Sequence, residues 1–414
     1  MPHIAVIGAG ITGVTTAYAL LERSYSVTVI ERQRYAAMET SFANGGQLSA
    51  SNAEVWNHWS TMLKGIKWMM RRDAPLLMNP APTWHKYSWL AEFVSNIANY
   101  RQNTVKTTQL AIEARKHLFA IAEREKIDFN HVCRGILHVY WDKSSFQHAL
   151  KVNSMLVEGG LDRRPVTASE IKSIEPALHG SFHAGFYTPS DSTGDIHKFT
   201  SGLAKACERR GANFVFDATV ESIVRDGKFR IGYTRNGLDG PSEEIDVDGI
   251  VVCAGLASRH FAKILGDRVN VYPVKGYSIT VDLEDDGSQG AAPWVSLLDD
   301  RAKIVTSRLG PDRFRVAGTA EFNGANRDIR NDRVAPLVEW MRTLFPAVDT
   351  HKVVPWAGLR PMMPNMMPRI GKGRQPGVFY NTGHGHLGWT LSAVTAQMVA
   401  ESVSAQFNAG AAAA

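Results

Sequence analysis

The stretch HIAVIGAGITGVTTAYALLERSYSVTVIE, residues 3–31, predicts a nucleotide-binding unit. An apolar strand leads into a helix with apolar spacing, and SVTVI is a second buried strand. Gly8, Gly10 and Gly13 form GxGxxG at the turn, where small residues let the backbone approach a pyrophosphate at a helix N-terminus. Glu31 ends the second strand, where a carboxylate accepts hydrogen bonds from a ribose and disfavours NADP. The pattern indicates a dinucleotide cofactor, either FAD or NAD.

Composition excludes several classes of protein. The chain has 414 residues, 44% hydrophobic and 21% charged, which is ordinary for a globular protein with room for two domains. Cys133, Cys207 and Cys253 are far apart, so we expect a reducing compartment with neither disulfides nor a metal site. No apolar run reaches the length of about 18 residues that spans a membrane, and no signal peptide is visible. The Lys and Arg residues behind the net charge of +6 are scattered, so we expect no nucleic-acid partner, and the expected reducing compartment favours a cytoplasmic protein.

A second glycine-rich loop, NTGHGHLGWT, occupies residues 381–390. A predicted strand precedes it and a predicted helix follows it, so the loop lies at a helix N-terminus, which suits negative charge. We predict that the first loop binds the pyrophosphate and the second the isoalloxazine of a flavin, with His384 or His386 as a donor to the reduced flavin. The alternative is that both histidines only cap the helix or pack against Trp389.

Six motifs spread over the chain resemble the small-subunit type of bacterial D-amino-acid dehydrogenase, within the glycine oxidase and D-amino-acid oxidase superfamily of flavoproteins. They are ETSFANGGQLS, LKGIKWMMRRDAPL, STGDIHKFT, YPVKGYSIT, GLRPMMP and NTGHGHLGWT. The resemblance implies noncovalent FAD and oxidative deamination of D-amino acids, with hydride transfer to flavin N5. It also implies that the electrons pass to a quinone or another partner of the respiratory chain rather than to oxygen. Asn365, Met366, Met367 and His386 depart from the pattern of this family, and they bear on the preferred substrate.

The order of the predicted elements indicates an α/β protein with two interleaved domains. Strand and helix patterns like those of the first unit return in TGDIHKFTSGLAKACERRGANFVF and DGIVVCAGLASRHF, whereas YPVKGYSITVDL and FRVAGTAEF are typical of an antiparallel sheet. We predict a Rossmann-like FAD-binding domain interleaved with a second α+β substrate domain built on a largely antiparallel sheet. The predicted FAD-binding domain comprises residues 1–55, 190–270 and 352–408, the substrate domain 56–189 and 271–351, and the tail 409–414.

Arg360 in WAGLRPMMP is the predicted ligand of the substrate carboxylate, because a guanidinium offers a bidentate fork and the resemblance gives this role to the Arg of GLRP. Tyr277 could donate a second hydrogen bond, and Lys275 could reach the flavin edge or the substrate; both could equally be ordinary strand residues. His386 completes the catalytic candidates. The predicted FAD-binding residues are Gly8, Gly10, Ile11, Thr12, Gly13, Glu31, Arg32, Ser41, Asn44, Gly45, Gly46, Gln47, Val220, Ala254, Gly255, Gly383, His384, Gly385, His386, Leu387 and Gly388.

Two further predictions concern the substrate and the surroundings of the protein. The methionines of the 362–367 segment could line an adaptable apolar wall, which makes D-proline or its hydroxylated form plausible substrates. The segment from Trp59 to Arg72 places apolar residues on one helical face and basic residues on another. This helix either packs within its own domain or rests on an anionic membrane surface, which would allow peripheral contact with the inner face of the cell membrane.

Three alternative functions remain compatible with these residues. An oxidase of glycine, sarcosine or another secondary amine would use oxygen as the acceptor. A flavin-binding relay subunit of a larger complex would bind FAD without being reduced by amino acids. An NAD-dependent dehydrogenase would leave the 381–390 loop unexplained.

Overall fold

The structure is a computed structural model that describes residues 1–61, 75–235 and 240–412, with side chains described up to residue 408. Its strands are β1 (His3–Ile7), β2 (Ser26–Ile30), β3 (Gln47–Leu48), β4 (Leu76–Met78), β5 (Ile136–Tyr140), β6 (Arg164–Thr167), β7 (Ala184–Thr188), β8 (Ser192–Thr193), β9 (Asn213–Val215), β10 (Ala218–Asp226), β11 (Lys228–Arg235), β12 (Ser242–Val247), β13 (Gly249–Val252), β14 (Tyr272–Asp282), β15 (Ser296–Asp299), β16 (Ile304–Arg308), β17 (Arg313–Phe322), β18 (Val353–Met362), β19 (Arg369–Lys372) and β20 (Val378–Thr382). Its α-helices are α1 (Ile11–Leu21), α2 (Trp84–Ser95), α3 (Tyr100–Glu125), α4 (Lys143–Glu158), α5 (Ala168–Ile174), α6 (Ile196–Arg209), α7 (Ser258–Ile264), α8 (Asp286–Ala291), α9 (Asn331–Leu344) and α10 (Gly388–Ala412).

The first sheet has six strands in the order β19-β20-β13-β1-β2-β9. All of them run parallel except β19, which pairs antiparallel with β20. The inner strands are apolar and buried, and α1 packs against both α6 and α10 beside them. Because parallel strands end at the same edge, both glycine loops and Glu31 are brought to one edge of this sheet.

The second sheet is large and mostly antiparallel, in the order β18-β14-β17-β16-β15-β5-β7-β6, with β4 added beside β17. Its apolar core is covered by α9. Gly276 of β14 lies opposite Gly358 of β18 in the regular part of the ladder. The pairing of β14 with β17 contains a bulge, because Lys275 is opposite Glu321 whereas Tyr277 is opposite Gly318.

The largely parallel first sheet and the largely antiparallel second sheet confirm the predicted fold class. Two elements nevertheless pack with a different sheet from the one that the predicted domain boundaries assign to them. Strand β18, which begins at Val353, belongs to the second sheet because it pairs along its length with β14. Leu118 and Ile121 of α3 pack in the core beside the first sheet, although sequence order places them in the substrate part.

Part of the predicted amphipathic helix falls on residues 62–74, which lie outside the described residues. Trp59, before that gap, is 60% exposed. Across the described ranges we find no helix with both the length and the apolar composition required to cross a bilayer.

Candidate active site

A cavity of about 990 Å³ extends from the first glycine loop to β14, β17 and β18 of the second sheet. All but one of the predicted FAD-binding residues line it, Gly13 being the exception. Arg360, Tyr277 and His386 also line it, whereas Lys275 does not. The predicted cofactor-binding and substrate-binding residues therefore share one continuous space.

The first glycine loop has the geometry of a pyrophosphate cradle. Gly8 has φ of +104°, which favours glycine, and a Cβ at Gly13 would overlap the carbonyl oxygen of Gly8. Gly10 precedes α1 and offers no capping side chain of its own, and Ser41 Oγ accepts a hydrogen bond from Ile11 N, the first N–H of the helix, at 3.1 Å. Closely packed glycines at a helix N-terminus fit a bound diphosphate, since backbone N–H groups and the helix dipole both favour an anion.

Glu31 has a fixed carboxylate at the end of β2. Its Oε2 accepts a hydrogen bond from Ala9 N at 2.6 Å, and its Oε1 accepts one from Gln33 N at 2.9 Å. Burial raises the pKa of this carboxyl, and the two N–H donors oppose the increase. Each oxygen keeps an acceptor position, so the group fits a ribose diol at the cavity wall. The neighbouring Arg32 forms an ion pair with Glu39 at 2.7 Å.

We expect Glu31→Ala to lower FAD occupancy and Glu31→Gln to lower it less. Both variants lose a charged acceptor of two backbone hydrogen bonds, and such bonds contribute about 1.5–3 kcal/mol each to stability. The alanine variant loses both bonds, whereas glutamine retains one acceptor oxygen. The flavin absorbance per protein of the purified variants, with thermal unfolding alongside, measures this. A fully yellow and equally stable Glu31→Ala protein would remove Glu31 from the cofactor site.

The second glycine loop holds two neutral histidines. The Nε2 of His384 lies 3.0 Å from Thr395 Oγ1, and burial lowers the pKa of His384 to about 3. The His386 ring stacks on Trp56 with centroids 4.9 Å apart, and burial lowers its pKa to about 4. His386 Nε2 donates to the Asn52 carbonyl at 3.1 Å, and Nδ1 is buried without a partner in the described part of the chain. Because the neutral ring has a single N–H, these contacts leave His386 no donor for a flavin.

Arg360 is a cationic group at the other end of the cavity, on β18. Its Nη1 donates to the carbonyl of Thr319 at 3.1 Å. Burial lowers the pKa of Arg360 to about 10, so the guanidinium remains charged at neutral pH. Within the described ranges no carboxylate forms an ion pair with it. A partly buried cation without a counter-ion among the described residues loses hydration at a cost, so this site suits an anionic ligand.

Lys275 and Tyr277 require a correction of their expected positions. Lys275 is fully buried; its Nζ donates to Asn326 Oδ1 at 2.7 Å and lies 3.4 Å from Glu321 Oε2. The Tyr277 hydroxyl donates to Glu321 Oε2 at 2.8 Å, although the Tyr277 residue contacts the cavity. Side chains alternate along a strand, so Lys275 and Tyr277 share the face of β14 opposite to that of Gly276, and both bind the buried carboxylate of Glu321 there.

The methionines also lie elsewhere than expected. None of the cavity-lining residues in the described part of the chain is a methionine. Met362 and Met366 are buried in an apolar cluster with Trp89 and Phe93. The structure therefore removes the methionine-based argument for bulky or cyclic substrates.

Sequence reasoning missed several residues of the cavity wall. Trp56 and Trp356 are aromatic surfaces of the wall, and His138 and Arg163 line it with buried polar groups. Trp356 could have been found from the alternation along β18, because it is four residues before Arg360 and shares its face. Nothing in the local sequence indicates His138 or Arg163, which reach the cavity through sheet pairing.

The chain matches the family model DAO, described as FAD dependent oxidoreductase, over residues 3–402. It is 72% identical over 400 residues to "D-amino acid dehydrogenase 3" of Mesorhizobium japonicum, covering 97% of this chain and 96% of the relative. It is 39% identical over 408 residues to "D-amino acid dehydrogenase" of Dechloromonas aromatica, covering 97% of each. Among solved structures, glycine oxidase from Geobacillus kaustophilus superposes with a TM-score of 0.76 at 18% identity, covering 98% of this chain and 96% of that one. At such low identity, the structural match shows a shared fold.

Proposed function

The chain belongs to the FAD dependent oxidoreductase family, and from this premise we propose that it is a dehydrogenase that oxidatively deaminates D-amino acids. The observation that carries the proposal is Arg360, a partly buried cation in the cavity that both glycine loops enter, with no carboxylate partner among the described residues. The full-length similarity to two proteins named D-amino acid dehydrogenase supports the substrate class.

The residues around the cavity fit FAD. The turn from Gly8 to Gly13 and the N-terminus of α1 would hold the pyrophosphate, Glu31 the ribose, and the loop from Gly383 to Gly388 the isoalloxazine end. FAD supplies the two-electron acceptor for the hydride that leaves the substrate α-carbon. The protein then has to bind, orient and shield the substrate.

Arg360 performs the binding and the orientation in this proposal. Its guanidinium pairs with the substrate carboxylate, and this fixes the position of the α-carbon relative to the cavity wall. The α-carbon loses a hydride and the amino nitrogen loses a proton, so a C=N bond forms. Water then adds to the imine and releases ammonia and the 2-oxo acid. His384 and His386 stay neutral during turnover near pH 7, because burial holds both pKa values far below it.

We further propose that the electron acceptor is a quinone or a partner protein on the cytoplasmic side of the membrane. The word dehydrogenase in the names of the relatives supports an acceptor other than oxygen. The exposed aromatic residues Trp59, Trp84 and Tyr87, on both sides of the undescribed 62–74 segment, support peripheral contact with a bilayer. Co-sedimentation with anionic lipid vesicles measures this contact.

Anaerobic mixing of the yellow holoenzyme with amino acids tests the main proposal. We expect D-amino acids to bleach the flavin band and L-enantiomers to leave it unchanged. The series includes D-proline, cis- and trans-hydroxy-D-proline, glycine and sarcosine. Reoxidation of the bleached protein by a soluble quinone, but slowly by air, would support the dehydrogenase. Rapid peroxide formation in air would favour the oxidase alternative, and an absence of bleaching with FAD bound would overturn the amino-acid assignment.

A further inference from the structure

The backbone of Gly276 lies directly beneath the Arg360 guanidinium. A Cβ at position 276 would overlap Nη2 and Cζ of Arg360, and it would lie 2.6 Å from Nη1. Real Cβ atoms essentially never lie within 3.0 Å of a heavy atom outside their own residue and its two neighbours in the chain. The guanidinium therefore lies flat on the backbone of β14, at a place where a side chain would exclude it.

Thr319 lies at the bulge of β17, and its carbonyl accepts a hydrogen bond from the same guanidinium. The change of register leaves Thr319 and Ala320 opposite the single residue Gly276. Thr319 has φ of +62°, an unusual conformation for a β-branched residue, and its Oγ1 is buried without a partner among the described residues. The same conformation directs its carbonyl to Arg360 Nη1 at 3.1 Å. The local strain and the unsatisfied hydroxyl thus coincide with the contact to Arg360.

The backbone beneath Arg360 has little freedom to move. Lys275 and Tyr277, on either side of Gly276, are both bound on the other face of β14 to Glu321 of β17. Glu321 itself lies two residues after Thr319, at the end of the bulge. A methyl group added at position 276 would therefore displace the guanidinium rather than the strand.

We infer that Gly276 and Thr319 are positioning residues that hold the Arg360 guanidinium in a single orientation for the substrate carboxylate. Gly276 acts through the absence of a side chain, and Thr319 acts through its carbonyl. The inference rests on the proposed role of Arg360 in carboxylate binding. Neither residue has to touch the substrate.

Gly276→Ala in the holoenzyme tests whether the missing side chain at position 276 positions Arg360. The probe is propionate, a carboxylate without an amino group, whose dissociation constant is read from the change in the flavin spectrum. We expect its dissociation constant and the KM for a D-amino acid to rise together, by about tenfold or more, with a smaller change in kcat. The control Gly290→Ala should change neither value, because Gly290 is exposed on α8 and no described atom lies within 4 Å of its Cβ position.

A double-mutant cycle distinguishes positioning of Arg360 from general damage. In an Arg360→Ala background, Gly276→Ala should have no further effect on propionate binding. An equal loss in both backgrounds would overturn the inference, and so would unchanged propionate binding in a folded Gly276→Ala protein. If the wild-type protein binds propionate but oxidises no D-amino acid, the proposed function fails while the positioning role is still tested.

Thr319→Gly provides a second test that does not depend on tolerance of an added methyl. Glycine adopts a positive φ without strain and removes the unsatisfied hydroxyl, so the melting temperature should rise. The freer backbone should hold the carbonyl less firmly, so propionate should bind several-fold more weakly. Opposite changes in stability and affinity would support the positioning role, whereas unchanged affinity would exclude Thr319 from it.

Discussion

Replacing Arg360 by alanine should raise the KM for D-amino acids roughly 30- to 900-fold, equivalent to a loss of about 2–4 kcal/mol. The reason is the loss of a charge-assisted pair with the substrate carboxylate in a buried site. FAD should remain bound, because Arg360 lies on β18 of the second sheet and not on the edge that carries the nucleotide loops. Steady-state kinetics with an artificial acceptor and the flavin-to-protein absorbance ratio measure the two quantities separately.

Two variants sharpen the Arg360 prediction. Arg360→Lys keeps the charge but loses the planar fork, so its KM should lie between those of the wild type and the alanine variant. Arg342→Ala removes an exposed guanidinium on α9 and should leave KM unchanged. Unaltered kinetics in Arg360→Ala would exclude Arg360 from the substrate site.

Gly13→Ala should destabilise the protein by about 1–3 kcal/mol or more and largely abolish FAD binding. A Cβ at this position would overlap the Gly8 carbonyl oxygen and would lie 2.9 Å from the Gly8 carbonyl carbon. These are backbone atoms, so α1 would have to move away from β1. Thermal unfolding and the flavin content after purification measure the effect.

Gly10→Ala is the matched control for packing. The nearest atom to a Cβ at position 10 is Ser41 Oγ at 3.7 Å, an ordinary contact, and Gly10 has φ of −72°. We therefore expect Gly10→Ala to retain its stability without cofactor but to bind FAD more weakly, since Gly10 lines the cavity. Equal stability of the Gly13→Ala and Gly10→Ala proteins would contradict the close packing of α1 on the first loop.

The family, the FAD cofactor and the fold could be predicted from the sequence, and the comparisons and the structure confirm them. The strand, the glycine turn, the helix and Glu31 follow one another within residues 3–31. The periodicity of this short stretch is therefore enough to predict the nucleotide-binding unit. The place of Arg360 in the cavity was predictable for a different reason, because its motif resembles that of a known family. The roles of the individual site residues stay predictions.

The expected positions of side chains were wrong where the direction of a side chain depends on pairing or packing between distant parts of the chain. Lys275 is next to the cavity in sequence, but it is fully buried behind the strand against Glu321, which is 46 residues away in the chain. The bulge that turns Thr319 to Arg360 arises from the register of β14 with β17, and a single strand carries no sign of it. Met362 and Met366 pack against Trp89 and Phe93 of α2, whose distance along the chain hid that contact.

The strand order of the first sheet has a consequence for the newly synthesised chain. Strand β1 pairs with β13, which ends at Val252, and β13 pairs with β20, which ends at Thr382. At a ribosomal rate of about 5–20 residues per second, one edge of β1 stays unpaired for about 12–50 s while the chain up to Val252 is made. The 381–390 loop is translated last of the cavity-forming segments. A complete FAD site therefore forms only after Thr390 has been made, and until β20 is available the nascent chain exposes an apolar strand edge that chaperones can recognise.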